Sequence, residues 1–327
     1  IRDAQESRGL GDVYKRQGQI VRRIIASPGL PIIDEFGVPQ PRSANGPSMN
    51  PDISEDGRYV VFESFATNMT TDVDINFTKD IFLFDRVTGT VELISKKYNG
   101  SGSASGTSSS PSISGDGRYI AFESDAPDLV PGDTNGRRDV FIYDRQTQTM
   151  TRVVDWVQYE VKGQQPNGES SDPKISGDGR FVTFVSRATN LLASDTNGQV
   201  ADVYVYDQYS RRIVRESLTY TGAQTTNASF SPVINWNGLF LGFLSDDRGL
   251  VEGIKNFVPD AYVVVRQHPI VWINEPAQDY LLDAGDNFRI EYVTFSPDVA
   301  AMLAADCLLY TSPSPRDSCA PRMPSSA

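Results

Sequence analysis

An internal repeat constrains this chain more than any other feature of its sequence. A turn glycine recurs roughly every 60 residues, and a common motif surrounds it. The first part of each copy reads PDISEDGRYVVFES (51–64), PSISGDGRYIAFES (111–124), PKISGDGRFVTFVS (173–186) and PVINWNGLFLGFLS (232–245). The second part reads DIFLFDRVTGTVELIS (80–95), DVFIYDRQTQTMTRVV (139–154), DVYVYDQYSRRIVRES (202–217) and DAYVVVR (260–266). Self-similarity at this period indicates stacked units that bury a core between neighbours.

Each copy is predicted to consist of β-strands. The runs at 59–62 and 140–143 are short, β-branched and aromatic, and turn residues bound them. Asp-Gly and Asn-Gly between the first two strands are typical of tight hairpins. Apolar residues on both faces of the second and third strands favour sheets packed between two neighbours. The pattern predicts an all-β chain, an incomplete β-propeller with about four four-stranded antiparallel blades; the alternative is an extended β-sandwich.

Three motifs carry a family resemblance. They are the S-x-D-G-R-Y-x-x-F-x-S core, the N-L…D-T-N-G linker and the D-V-F-x-Y-D-R strand. They resemble the TolB-like, WD-like propeller repeats of exported bacterial proteins, over roughly residues 45–266. The fourth copy departs from the pattern, because Asn235, Trp236 and Asn237 replace its Ser-Gly-Asp turn. The resemblance implies an exported protein of the periplasm, the cell surface or the extracellular space.

Both ends of the chain are predicted to be non-native, at 1–17 and 307–327. The segments 7–17 and 307–316 can be encoded by DNA strands that are reverse complements of each other, which two natural ends should not be. They resemble translated sequencing-adapter DNA around a metagenomic gene fragment. Both cysteines, Cys307 and Cys319, fall in the second flank, so the remainder offers no disulfide and no thiolate.

The remainder divides into a propeller and a further segment. The propeller is predicted over 18–268, with repeats near 45–95, 107–154, 170–217 and 229–266. Residues 18–25 resemble a blade's fourth strand, either from a lost upstream blade or as a closing strand, because the fourth copy shows no fourth strand of its own. Residues 269–306 resemble the opening of a bacterial Ig-like domain, truncated after about two strands.

Composition narrows the partners. The formal net charge of −12 argues against binding to a phosphate backbone, which needs a basic surface. No apolar run approaches the roughly 20 residues that span a bilayer. A protein or a cell-surface polymer is therefore the expected partner, with no nucleic acid and no membrane span.

One polar constellation recurs before the third strand of the first three copies. Carboxylate and amide oxygens in a loop are ligands that Ca²⁺ accepts, although the run is too short for an EF-hand and lacks its bidentate glutamate. The alternative is structural: Asp and Asn form Asx-turns, while hydrogen bonds to loop backbone let one aspartate per copy brace the start of the third strand, at Asp80, Asp139, Asp202 and Asp260. The calcium candidates are Asp74, Asn76 and Asp80; Asp133, Asn135 and Asp139; and Asp195, Asn197 and Asp202. No other cofactor is expected.

Loop lengths indicate where a partner binds. Strand parity places the long loops between second and third strands, and those between copies, on one face of the disc. This pattern favours a non-catalytic interaction or scaffold propeller. The alternatives are the accessory propeller of a prolyl-oligopeptidase-like hydrolase whose catalytic domain is missing, and a lyase or glycosidase with its site in the channel. A lyase or glycosidase site needs histidines or paired carboxylates on the inner strands. Those strands offer almost none, with Asp52, Ser112, Lys174 and Val233 at matching positions.

Two further predictions concern single positions. Arg86 and Arg145 follow the third strands and are expected to pair with nearby carboxylates. His268 is the sole histidine and is expected to be a linker residue at a domain junction rather than a catalytic base. The chain is accordingly predicted not to be an enzyme.

Overall fold

A computed structural model describes residues 43–266, apart from 73, 101, 154–164, 193–194 and 254–257, and the backbone of four short strands before them. The chain divides into two compact units, 1–267 and 268–327. The second unit, with the predicted Ig-like segment and His268, lies outside the described residues. The four short strands are β1 (Val13–Arg16), β2 (Gln19–Arg22), β3 (Ile32–Ile33) and β4 (Pro39–Gln40). The segment predicted as a closing strand contributes β2, which pairs with β1.

Four antiparallel sheets follow, one for each repeat, and confirm the all-β propeller with an incomplete set of blades. Blade 1 contains β5 (Ser48–Ile53), β6 (Tyr59–Ser64), β7 (Asp80–Asp85) and β8 (Thr90–Leu93). Blade 2 contains β9 (Ser108–Ile113), β10 (Tyr119–Ser124), β11 (Asp139–Asp144) and β12 (Thr149–Arg152). Blade 3 contains β13 (Ser170–Ile175), β14 (Phe181–Ser186), β15 (Asp202–Asp207) and β16 (Arg212–Arg215). Blade 4 contains β17 (Ser229–Ile234), β18 (Phe240–Ser245) and β19 (Asp260–Val265), with a 3-10 turn at Arg248–Leu250.

Each hairpin is fastened by its own polar side chains. In blade 2, the Ser114 hydroxyl donates to Asp116 at 2.6 Å and accepts from the backbone N–H of Tyr119. Arg118 then reaches the end of the third strand, where its Nη2 lies 2.7 Å from Asp144 Oδ2. Blades 1 and 3 repeat the same arrangement with Arg58–Asp85 and Arg180–Asp207. The conserved spacing of the motif therefore locks the first turn onto the third strand.

Every inner strand contains a β-bulge. The pairing register shifts once in β5, β9, β13 and β17, and the residue before the proline takes a positive φ. Glutamates of the preceding blade satisfy two of the displaced amides: Glu63 accepts from the N–H of Ser110 at 2.9 Å, and Glu123 accepts from that of Asp172 at 2.7 Å. The bulge residues are Asn50, Ser110, Asp172 and Ser231, with φ between 49° and 54°.

The hydrophobic core consists of layers between neighbouring blades. One cluster joins blades 1 and 2, a second joins blades 2 and 3, and a third joins blades 3 and 4. At each junction the turn glycine of one blade lies on an aromatic ring of the preceding blade, and a β-carbon there would come closer than 3.0 Å to that ring. The pairs are Gly117 on Tyr59, Gly179 on Tyr119 and Gly238 on Phe181.

Candidate functional site

The long loops adjoin one another on a single face, as strand parity predicts. The side-chain Nδ2 of Asn76, in the β6–β7 loop, donates to the carbonyl of Ala104 in the next interblade loop at 2.6 Å. The N–H of Tyr98 donates to the carbonyl of Asp128 at 2.9 Å, and that of Tyr220 to Gly249 at 2.8 Å. We call this surface the long-loop face; its described residues are 65–72, 74–79, 94–100, 102–107, 125–138, 165–169, 187–192, 195–201, 216–228, 246–253 and 258–259.

Beneath this face, the Asp and Asn residues of blades 2 and 3 surround a buried arginine. Arg152 Nη1 lies 2.9 Å from Asp133 Oδ1 and 3.4 Å from Asp139 Oδ2, and its side chain is almost fully buried. Asn135 donates to the same Asp139 oxygen at 2.9 Å. A guanidinium therefore supplies the positive charge that two buried carboxylates require.

Blade 3 repeats this cluster with different donors around it. Arg215 lies 3.5 Å from both Asp195 and Asp202. The other oxygen of Asp202 accepts from the hydroxyl of Ser217 at 2.7 Å. These bonds come from side chains of the fourth strand and its neighbouring loop rather than from loop backbone, so Asp202 braces the third strand by a different route from the one predicted.

Blade 1 has the carboxylates but lacks the arginine. Leu93 occupies the position of Arg152 and Arg215, opposite Phe82 on the third strand. Asp80 is fully buried and accepts from Ser95 at 2.6 Å and Asn76 at 3.0 Å, which are neutral donors. The pKa of Asp80 is raised to about 7, mainly by burial and also by the charge of Asp74, while the hydrogen bonds of Ser95 and Asn76 oppose the increase.

The calcium prediction stays a prediction. The structure brings each predicted trio together, and within its described part no group of three or more carboxylate, histidine or cysteine ligands is arranged around a metal position. In blades 2 and 3 the arginine lies between the two carboxylates, where a cation would bind. Sequence reasoning missed these arginines; the available signal was a charged residue in the fourth strand, directly opposite an apolar position.

Above the blade 1 cluster, an aromatic side chain projects from the long-loop face. Phe77 is 78% exposed and has a φ of 55°, whereas the aligned Gly136 and Gly198 take the same left-handed conformation without a side chain. Ile75, two residues earlier, is also exposed and replaces threonine. Of the described non-glycine residues with positive φ, Phe77 is the only aromatic one. Comparing the repeats column by column would have found it.

Other features of the same face are also accessible. Tyr98 and Tyr220, which align between blades 1 and 3, are each 62% exposed at the tips of interblade loops. Between blades 2 and 3 the loops border an open polar groove of about 450 Å³, lined by Thr134, Asn135, Arg137, Gln165, Asn167 and Asn190.

The inner strands line a second cavity of about 440 Å³. Asp52 and Lys174 line this cavity, as the sequence indicates. Asp172 lines it too, because the bulge before Pro173 brings a residue from the other side of the proline to the same surface, and the sequence analysis did not identify it. Burial raises the pKa of Asp172, opposed by the charge of Lys174. Trp236 of blade 4 reaches Glu55 of blade 1 at 3.2 Å.

The hydrogen bonds that the structure gives Arg86 and Arg145 go to backbone carbonyls, whereas the sequence predicted carboxylate partners. Arg86 Nε donates to the carbonyl of Gly57 at 2.8 Å, and Arg145 Nη1 donates to that of Gly117 at 2.7 Å. In blades 1 to 3, the carboxylate at the end of the third strand is bound by the arginine that follows the turn glycine. Two arginines compete for one carboxylate, and sequence alone does not show which one faces it.

Comparisons with known proteins bear on the fold. No family model matches the chain, and no curated protein matches it. Within the described part of the chain, no helix has the length and apolar character that crossing a bilayer requires.

Several solved structures are similar to this chain, and three of them are compared with it below. TolB from Acinetobacter baumannii is 20% identical, with a TM-score of 0.41, over 72% of this chain and 45% of its own. A putative TolB from Agrobacterium tumefaciens is 16% identical, with a TM-score of 0.41, over 70% of this chain and 67% of its own. The β-propeller domain of the Trilobed protease from Pyrococcus furiosus is 13% identical, with a TM-score of 0.39, over 67% of this chain and 54% of its own. This chain thus spans less than half of the Acinetobacter TolB chain, and its propeller architecture rests on the four sheets described above.

Proposed function

We propose that this protein is a non-catalytic interaction propeller of an exported bacterial protein, and that it binds a protein partner through the long-loop face. The observation that carries the proposal is Phe77. A left-handed conformation costs a residue with a β-carbon of order 1–2 kcal/mol, and an exposed phenyl ring gains nothing in the free protein. Strain of this kind persists where a function retains it.

The surroundings of Phe77 make it a suitable anchor. Asn76 holds the loop from below through its bonds to Asp80 and Ala104, and its Oδ1 accepts from the N–H of Thr78 at 2.9 Å. A ring on a braced loop loses little conformational freedom on binding, which is the property of interface hot spots. The net charge of −12 favours a partner whose rim is basic.

Selection from a phage-displayed peptide library on the immobilised chain tests this proposal. Enriched peptides are expected to bind Phe77→Gly about ten-fold or more weakly than the parent. Glycine is the residue of the sister blades at this position, so folding should be unaffected. Val87→Gly, on the opposite face and with 71% of its residue surface exposed, is the matched control and should bind as the parent does. Peptides that bind Phe77→Gly as tightly as the parent would contradict the proposal.

A further inference from the structure

The cavity at the inner strands holds two opposite charges that form no ion pair. Asp172 and Lys174 flank Pro173 on β13, and both side chains line the cavity. Both residues are half-buried. Among the described residues, no hydrogen bond or ion pair reaches the carboxylate of Asp172 or the ammonium group of Lys174. Charged groups that lose part of their hydration without gaining a partner are costly, so each of the two favours an opposite charge brought into the cavity.

Comparable groups nearby already have partners. Asp52, which lines the same cavity, accepts the N–H groups of Ile53 and Ile113, both at 2.9 Å. Every other lysine of the described residues lies next to a carboxylate: Lys79 is 3.0 Å from Glu63, Lys96 is 3.1 Å from Asp72, and Lys97 is 3.7 Å from Asp128. The pair on β13 is therefore available to a ligand in a way that these groups are not.

The turns that follow the inner strands meet at one end of this cavity. The N–H of Glu55 donates to the carbonyl of Gly115 at 2.9 Å, and the N–H of Gly115 donates to that of Gly177 at 2.8 Å. Trp236 joins them from blade 4: its indole N–H donates to Glu55 at 3.2 Å, and a β-carbon on Gly177 would come closer than 3.0 Å to its ring. These contacts form a floor, so a ligand reaches the cavity from the side of the long-loop face.

We propose that this cavity binds a free dipeptide as a zwitterion, with its ammonium group at Asp172 and its carboxylate at Lys174. The volume of about 440 Å³ falls within the range of small-molecule sites. A dipeptide spans at most about 7 Å, which exceeds the length of a direct ion pair, so its two ends can reach both side chains. Asn50 and Ser110, at the bulge positions of the neighbouring blades, add polar groups for its peptide bond. This proposal is independent of partner binding at the long-loop face.

NMR titration of the full chain with three matched ligands tests the proposal. Glycylglycine carries both charges, N-acetylglycylglycine lacks the ammonium group, and glycylglycine amide lacks the carboxylate. Glycylglycine is expected to bind, and each blocked form should bind about ten-fold or more weakly. Absence of glycylglycine binding up to about 10 mM, or equal binding of either blocked form, would overturn the proposal.

Two conservative variants assign the two charges. Lys174→Gln and Asp172→Asn should each weaken glycylglycine binding about ten-fold. In Lys174→Gln the amide should bind as tightly as glycylglycine, because no ammonium group remains to recognise the carboxylate; in Asp172→Asn the acetylated form should do so. Binding that either variant leaves at the parent affinity would contradict the assignment.

The fold should tolerate both variants. Asparagine suits the left-handed conformation of position 172, since the aligned Asn50 has a φ of 49°, and neither replaced side chain makes a hydrogen bond. Unfolding midpoints should therefore stay at the parent value. Arg212→Gln removes a positive charge from an exposed position on β16, outside the cavity, and this control should bind glycylglycine as the parent does.

Discussion

At each junction between neighbouring blades, a turn glycine lies against an aromatic ring of the preceding blade. Gly117 has a φ of 71° and lies on Tyr59, whereas Gly57 has a φ of 66° and no ring beside it. Gly57→Ala is therefore expected to cost about 1 kcal/mol from backbone strain alone. Gly117→Ala should cost about 1–3 kcal/mol more, because its β-carbon overpacks the junction. Denaturant unfolding measures both; equal losses would show that the ring contact contributes nothing.

The uncompensated carboxylates of blade 1 predict a pH dependence. The pKa of Asp80 is raised to about 7 in the folded protein, from 3.8 as the ordinary value. Between these two pH values the folded state binds more protons than the unfolded state, so stability contributed by protonated Asp80 is lost as pH rises from about 4 to about 7. Asp80→Asn removes the charge and should flatten that part of the stability profile, measured by thermal melts across pH.

Leu93→Arg tests the same explanation by adding a positive charge beside Asp80 instead of removing the negative one. It restores the residue that blades 2 and 3 carry, and a guanidinium beside Asp80 lowers its pKa. The fall in stability between pH 4 and 7 should then diminish, as in Asp80→Asn. A profile that keeps its slope in both variants would assign the dependence to other groups. At lower pH a separate loss is expected from Asp144, whose pKa the hydrogen bonds of Arg118 lower to about 2.

At this scale the sequence predicted part of the candidate site. It placed the Asp and Asn residues of each trio in one loop, because a shared motif keeps a shared local structure. It did not identify Arg152, Arg215 or Phe77. The arginines lie in another strand, and pairing across a blade depends on register, which the spacing of a single motif does not show. Phe77 differs from the aligned Gly136 and Gly198 in backbone strain, because all three have a positive φ but only Phe77 has a side chain. Amino-acid composition does not reveal that strain.

At the scale of strands and blades, the residue after the third strand links its own blade to the one before. Arg145 donates to Gly117 and lies over Tyr59, while Gln208 of blade 3 donates only to the equivalent carbonyl, that of Gly179. Arg145→Gln should keep the hydrogen bond, lose the cation–π contact and destabilise by about 0.5–1 kcal/mol. Gln208→Arg should stabilise by a similar amount by reaching Tyr119. Unfolding midpoints measure both, and a change of the same sign in each would contradict the assignment.

The strands themselves were predictable, since alternation, β-branched residues and Asp-Gly turns all favour the same hairpins. The bulge in each inner strand was not. A proline in a strand indicates an interrupted ladder, but the left-handed residue before it is stabilised by a glutamate of the preceding blade in two of the cases. That contact spans about one repeat length, so it belongs to the stacking of blades and not to the local sequence.

For the whole molecule, uneven burial predicts uneven local stability. Blades 2 and 3 are covered on both faces, and the third strand of blade 4 alternates between half-buried and exposed residues. Arrays of repeats open from weakly coupled ends. Hydrogen exchange at low protein concentration should therefore be slowest in β10, β11, β14 and β15 and fastest in β17–β19. Uniform protection across the four blades would indicate a single cooperative unit.

The inner bulges have a consequence for how such an array diversifies. Asn50, Ser110 and Asp172 occupy the same backbone position, and all three line the cavity at the inner strands. None of their side chains contributes to the apolar layers between blades. After duplication of a repeat, this position can therefore change its charge or hydrogen-bonding character independently in each copy, and the lining of this cavity can evolve while the stacking of the blades is preserved.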